Sequence, residues 1–131
     1  MTITPTNLAS GSTHALNELR RVVSAPPRAG VALGNWRWTV RQRLAAVRDV
    51  LVREVDQLED GWLAARHGAA IRERNTLLVR LAAQGRAVLE ANDVEPVRAD
   101  LLRLVADVAR HVQRLHDLAY DEVELELGGS E

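Results

Sequence analysis

VRADLLRLVADVARHVQRLHDLAYDE, residues 97–122, decides the fold. Val97, Leu101, Leu104, Val108, His111, Leu115, Leu118 and Glu122 recur at spacings of four and three. That pattern is the seam of an amphipathic helix packed in a bundle. Two seam positions are polar, His111 and Glu122. An unpaired polar group in a core is costly, so both need partners. What those partners are is the functional question of this chain.

Working back from that helix, Asn92-Asp93 closes a third helix, and Pro96 opens the fourth, where a first-turn proline is tolerated. The third helix starts between Leu63 and Ala69 and reaches about Ala91, with the seam Ile71, Arg74, Leu78, Leu81, Gly85, Val88. Gly85 either lets a neighbouring helix come close or merely weakens its own helix, by about 1 kcal/mol. Asp60-Gly61 is a helix stop, with Trp62 and Leu63 tucked beneath it. The second helix spans 36–59, capped by Asn35, with the seam Val40, Leu44, Val47, Leu51, Glu54, Leu58. Trp36 and Trp38 in its first turn plug that end of the bundle. Ala25–Gly34, with two prolines and two glycines, is a loop. A weaker first helix spans 13–24, with Leu16, Leu19 and Val23 on one face. Residues 1–12 are a frayed start. The alternation in 123–127 is either a short strand or the fraying end of the last helix. The expectation is an all-α, up-down four-helix bundle forming a single domain over residues 1–131.

Each of the three long helices carries a charged or polar seam residue. In antiparallel order Glu54 and Arg74 flank one turn at similar heights. From Arg74 to Asn92 is 18 residues, about 27 Å at 1.5 Å per residue. The same climb from Pro96 arrives at His111, Arg114 or Leu115. A polar layer of Glu54, Arg74 and His111 near one end of the bundle follows from spacing. Its preferred form is a buried ion pair of Arg74 with Glu54, with His111 hydrogen-bonded beside it, since arginine stays charged and forks onto a carboxylate. The alternative is a metal site built from Glu54, Glu59, His111, His116 and Glu122 on facing helices. His111 and His116 lie five apart, about 140° around a helix, which suits a single ion poorly. His14 and His67 read as surface or capping residues.

Composition narrows the classes. The 131 residues suffice for one core. With no Phe and one Tyr, aliphatic side chains must fill it. There is no lysine, so all 17 basic residues are arginine, a bias typical of GC-rich coding and weak evidence for recognition. A net charge of −1 does not indicate nucleic-acid binding. The charge is uneven: residues 1–48 hold seven Arg and one Glu, whereas 117–131 hold six acids and no base. Such asymmetry reads as chance plus solvation, or it steers head-to-tail contacts between molecules or between the bundle and its own tail. The absence of cysteine excludes disulfides and thiolate metal sites. The first residues do not read as a secretory signal, and no apolar run suits a membrane span, so a cytoplasmic protein is expected.

Trp36-Arg37 with Val40, Leu44, Val47 and Leu51, then REVDQLED (53–60), RERNTLL (72–78) and above all ARHVQRLHDLAYDEVELELGGSE (109–131) resemble the hemerythrin-like (HHE cation-binding) helical bundles of high-GC bacteria. The resemblance covers roughly residues 36–131. Its most specific part is Arg110, His111, Gln113, Arg114, Asp117, Leu118, Tyr120 and Gly128-Gly129 in order. It implies an up-down bundle whose core histidines and carboxylates bind non-haem iron, often two ions, for oxygen binding, sensing or storage. This chain departs from that pattern. Glu54 and Arg74 or Asn75 stand where histidines are expected. Glu59, His111 and, less closely, Asp117 and Glu122 match. The four histidines of the whole chain are too few for the family's di-iron centre.

The expected function is therefore a non-enzymatic binding or regulatory module with a degenerate metal centre and no cofactor, self-associating as a dimer or other homo-oligomer or binding a protein partner. Residues 123–127 would be one contact surface. The alternative is a working iron protein for oxygen or peroxide sensing. A third option docks a protein or nucleic acid through Arg37, Arg41, Arg43 and Arg48.

Overall fold

A computed structural model of the chain describes residues 5–25, 27, 30–59 and 68–129, with side chains placed for 11–25, 27, 30–53 and 68–118. The described residues form four helices: α1 (Pro5–Ser24), α2 (Val31–Glu59), α3 (Gly68–Glu90) and α4 (Glu95–Gly129). Each packs on its two neighbours in a ring, α1 on α2, α2 on α3, α3 on α4 and α4 back on α1.

Long-range hydrogen bonds give the directions. The indole of Trp36 donates to Val22 O at 2.9 Å, joining the start of α2 to the end of α1. Arg37 donates to Val88 O at 2.8 Å, joining the start of α2 to the end of α3. Arg98 Nε donates to Val23 O at 2.9 Å, joining the start of α4 to the end of α1. All neighbours are therefore antiparallel, and the bundle runs up-down-up-down. Two of these arginines serve helix C-termini, where the last carbonyls lack intrahelical donors and attract cations.

The core is aliphatic. Leu16, Leu19, Val23, Val40, Leu44, Val47, Leu51, Leu101, Leu104 and Val108 are buried in one cluster, as the spacing requires. Among the described residues no helix is long and apolar enough to cross a membrane.

Several local expectations change. α1 begins at Pro5, two turns before the expected start near Thr13. Ser12 and Ala15 are buried with Leu16 and Leu19, so small residues extend its seam where apolar periodicity looks thin. Tertiary packing here outweighs weak local propensity. α2 begins at Val31, and Asn35 is not its cap. Gly30 takes φ 84°, in the left-handed region open to glycine. Its carbonyl accepts from Leu33 N at 3.0 Å and Gly34 N at 3.3 Å, starting the helix. Trp36 is buried, and Trp38, two residues on and about 200° around the helix, is 57% exposed. In α3, Leu77 is buried and Leu78 only half-buried. The 123–127 alternation continues as helix to Gly129. Asp60-Gly61, Trp62, Leu63 and His67 lie outside the described residues.

A Cβ at Gly85 would meet nothing within 4 Å. Close helix approach does not explain it, which leaves its helix-weakening effect. Gly85→Ala is expected to raise the unfolding free energy by about 1 kcal/mol. Urea denaturation tests this, and a destabilised variant would reveal a neighbour that the open space does not show.

Candidate functional site

His111 is on the inward seam of α4, between Val108 and Leu115, with 0% side-chain exposure. Its Nδ1 is 2.7 Å from Glu73 Oε1 on α3, so the ring donates there in the tautomer protonated at Nδ1. The other Glu73 oxygen accepts from Arg114. The result is a line from solvent to core: exposed Arg114, half-buried Glu73, buried His111.

Two turns along the same interface the pattern recurs. Asp107 on α4 accepts from Arg80 on α3 at 2.7 Å and from Arg110 on its own helix. Seven residues separate Glu73 from Arg80, and seven separate Asp107 from Arg114. Acid and base are exchanged between the helices, which is the complementarity that antiparallel neighbours require at matched heights. This reciprocal spacing was the sequence signal for Glu73, and the seam pattern alone passes over it.

The Glu73 carboxyl is subject to opposing influences. Burial pushes its pKa up, but hydrogen bonds from Arg114 and His111, and the positive charge beside it, outweigh burial and hold it below its ordinary 4.5. A depressed folded pKa contributes stability that is fully present above pH 4.5 and is lost as pH falls through the folded value. Glu73→Gln should therefore flatten the acid limb of the stability–pH curve. Urea titrations at successive pH values test this; an unchanged acid limb would mean that the contact carries no proton linkage.

Arg74, the next residue, is 1% exposed. Its Nε and Nη2 donate to Asn75 Oδ1 at 3.4 and 3.3 Å. Of the expected polar layer, Arg74 and His111 are thus both interior, and the described carboxylate on His111 is Glu73. Glu54 is in α2, and Glu59 and Glu122 in α2 and α4, but their side chains are outside the described residues. His14 is exposed and His116 half-buried. Buried His116 Nδ1 has no hydrogen-bond partner among the described residues.

The described side chains do not fit the iron centre that the family resemblance implies. Both oxygens of Glu73 are engaged, one by His111 Nδ1 and one by Arg114. A buried guanidinium, Arg74, adjoins Glu73 in the chain. Among the described residues no three His, Cys, Asp or Glu side chains gather as a metal would need. Neither does the His111–Glu73 pair line a described cavity. One groove, about 350 Å³, lies between α1 and α4 and is lined by Leu16, Arg20, Val112 and His116 among others. A second, about 330 Å³, lies between α2 and α3. The His111–Glu73 pair crosslinks α3 and α4.

No protein-family model, curated protein or solved structure matches this chain.

The basic patch divides in the structure. Arg37 is engaged at the α3 C-terminus, and Arg43 lies 3.9 Å from Glu18. Arg41 and Arg48 border the α2–α3 groove.

Proposed function

We propose that the chain is a non-enzymatic binding or regulatory module of hemerythrin-like type, in which charged side chains stand where such bundles carry iron. The observation that supports this best is the buried His111–Glu73–Arg114 line beside buried Arg74. The buried Arg74 guanidinium is a permanent cation in the layer, and it disfavours a second cation there.

A second proposal keeps the metal, as a non-haem iron site for oxygen or peroxide sensing through Glu54, Glu59, His111, His116 and Glu122. The buried Nδ1 of His116, unpartnered among the described residues, favours it.

Elemental analysis separates the two. Protein purified without chelator is offered ferrous iron anaerobically and then desalted. The module predicts negligible iron and a melting temperature unchanged by chelator. Stoichiometric iron, a visible absorption band after oxygen and a chelator-lowered melting temperature would establish the iron protein, because a ligand bound only by the folded state stabilises it.

A further inference from the structure

The second groove, between α2 and α3, has a floor of small and apolar residues: Leu44 and Ala45 from α2, Leu81, Ala82 and Gly85 from α3. Arg41, Arg48 and Arg86 rim it. The space over Gly85 is open. Other arginines are engaged: Arg37 and Arg98 at helix ends, Arg80 on Asp107, Arg114 on Glu73. Arg41 and Arg86 have no hydrogen-bond or ion-pair partner among the described residues, and Arg48 has only exposed Asp49 at 3.9 Å. An apolar floor between two helices with a cationic rim suits an acidic amphipathic helix laid lengthwise.

This chain supplies an acidic helix end of its own, the last turns of α4. Residues 117–131 carry six acids and no base. In antiparallel register Glu73 stands opposite Arg114 and Arg80 opposite Asp107, so Gly68, the first residue of α3, stands opposite residue 119. α4 continues to Gly129, roughly 15 Å beyond the start of α3. Asp117, Asp121 and Glu124, at i, i+4 and i+7, share one helix face. Asp117 and Glu124 are seven residues apart, as are Arg41 and Arg48, a rise of about 10 Å in each helix. The overall charge of −1 leaves little repulsion between copies.

We propose that the acidic C-terminal run of α4 from one copy of this chain docks in the arginine-rimmed α2–α3 groove of another, joining copies head to tail. The two surfaces differ, so each added copy leaves one tail and one groove available, and assembly closes into a ring or continues as an open chain. The proposal does not depend on whether the polar layer holds a metal.

Sedimentation of the full chain tests it. The wild type should associate with rising concentration at low salt, with the association constant falling at least about tenfold in half-molar salt. A groove variant, Arg41→Ser with Arg48→Ser and Arg86→Ser, should be monomeric. So should a tail variant, Asp117→Asn with Asp121→Asn and Glu124→Gln. Mixed one to one, the two should form a dimer and nothing larger, because the intact groove of one meets the intact tail of the other. A wild type that stays monomeric, either variant associating like wild type, or a mixture that fails to pair would overturn the proposal. A monomeric wild type that captures nucleic acid or a foreign acidic helix in the groove would also overturn it. A second measurement is independent of how the charge variants fold. The chain has no cysteine, so Ala82→Cys mixed with Leu125→Cys should yield a disulfide-linked dimer on mild oxidation. Equal cross-linking of Ala82→Cys alone would point to a symmetric contact and reject the head-to-tail one.

Discussion

Arg74→Ala is expected to lower the unfolding free energy by about 3 kcal/mol, read by urea denaturation at pH 7. The side chain is 1% exposed, so its guanidinium is out of water. A buried ion persists only where polar groups and counter-charge compensate its lost hydration, and removing it leaves those groups uncompensated. Its aliphatic stem also fills core volume, so alanine adds a packing loss. Arg74→Met separates the two contributions by keeping the stem and deleting the charge. If Glu54 supplies the counter-charge, Arg74→Met alone destabilises, and adding Glu54→Gln recovers most of the loss. A loss below about 1 kcal/mol in Arg74→Ala would mean that the cost of desolvating the guanidinium nearly cancels what its partners return.

His111→Ala is expected to destabilise by about 3 kcal/mol in the same assay, through a cavity in the α4 seam and loss of the Glu73 hydrogen bond. Its 0% side-chain exposure means that water cannot replace the imidazole without entering the core. His111→Leu refills the volume, so it should be milder and isolate the polar contribution. A double-mutant cycle with Glu73→Gln should give a coupling energy of about 1 kcal/mol or more. A coupling near zero would show that the 2.7 Å contact contributes geometry and no energy. Neither substitution should change iron content if the charged layer is the native state of this bundle.

The fold was largely legible beforehand because helix seams are local. Val40, Leu44, Val47 and Leu51 on α2, and Val97, Leu101, Leu104 and Val108 on α4, are buried where the 3.6-residue period places them. Gly30 was harder to read. A glycine among prolines signals a turn, but its left-handed φ lets α2 start at once, which places Asn35 inside the helix. α1 extends beyond its apolar pattern because Ser12 carries no apolar signal and is nevertheless buried.

The sequence by itself determined four helices, their antiparallel order and the approximate height at which Arg74 and His111 lie. Periodicity and rise per residue are properties of one helix at a time, and they need no knowledge of the neighbour. Only the tertiary structure decided which carboxylate meets His111. Glu73 and Arg74 are adjacent in the chain and almost equal in height, but they point about 100° apart around α3. The rotation of α3 against α4 turns Arg74 inward and brings Glu73 to the interface with His111 and Arg114. That rotation is set by the side chains of both helices packing together, Leu77 and Leu81 on one and Leu104 and Val108 on the other. One-dimensional spacing contains no such term.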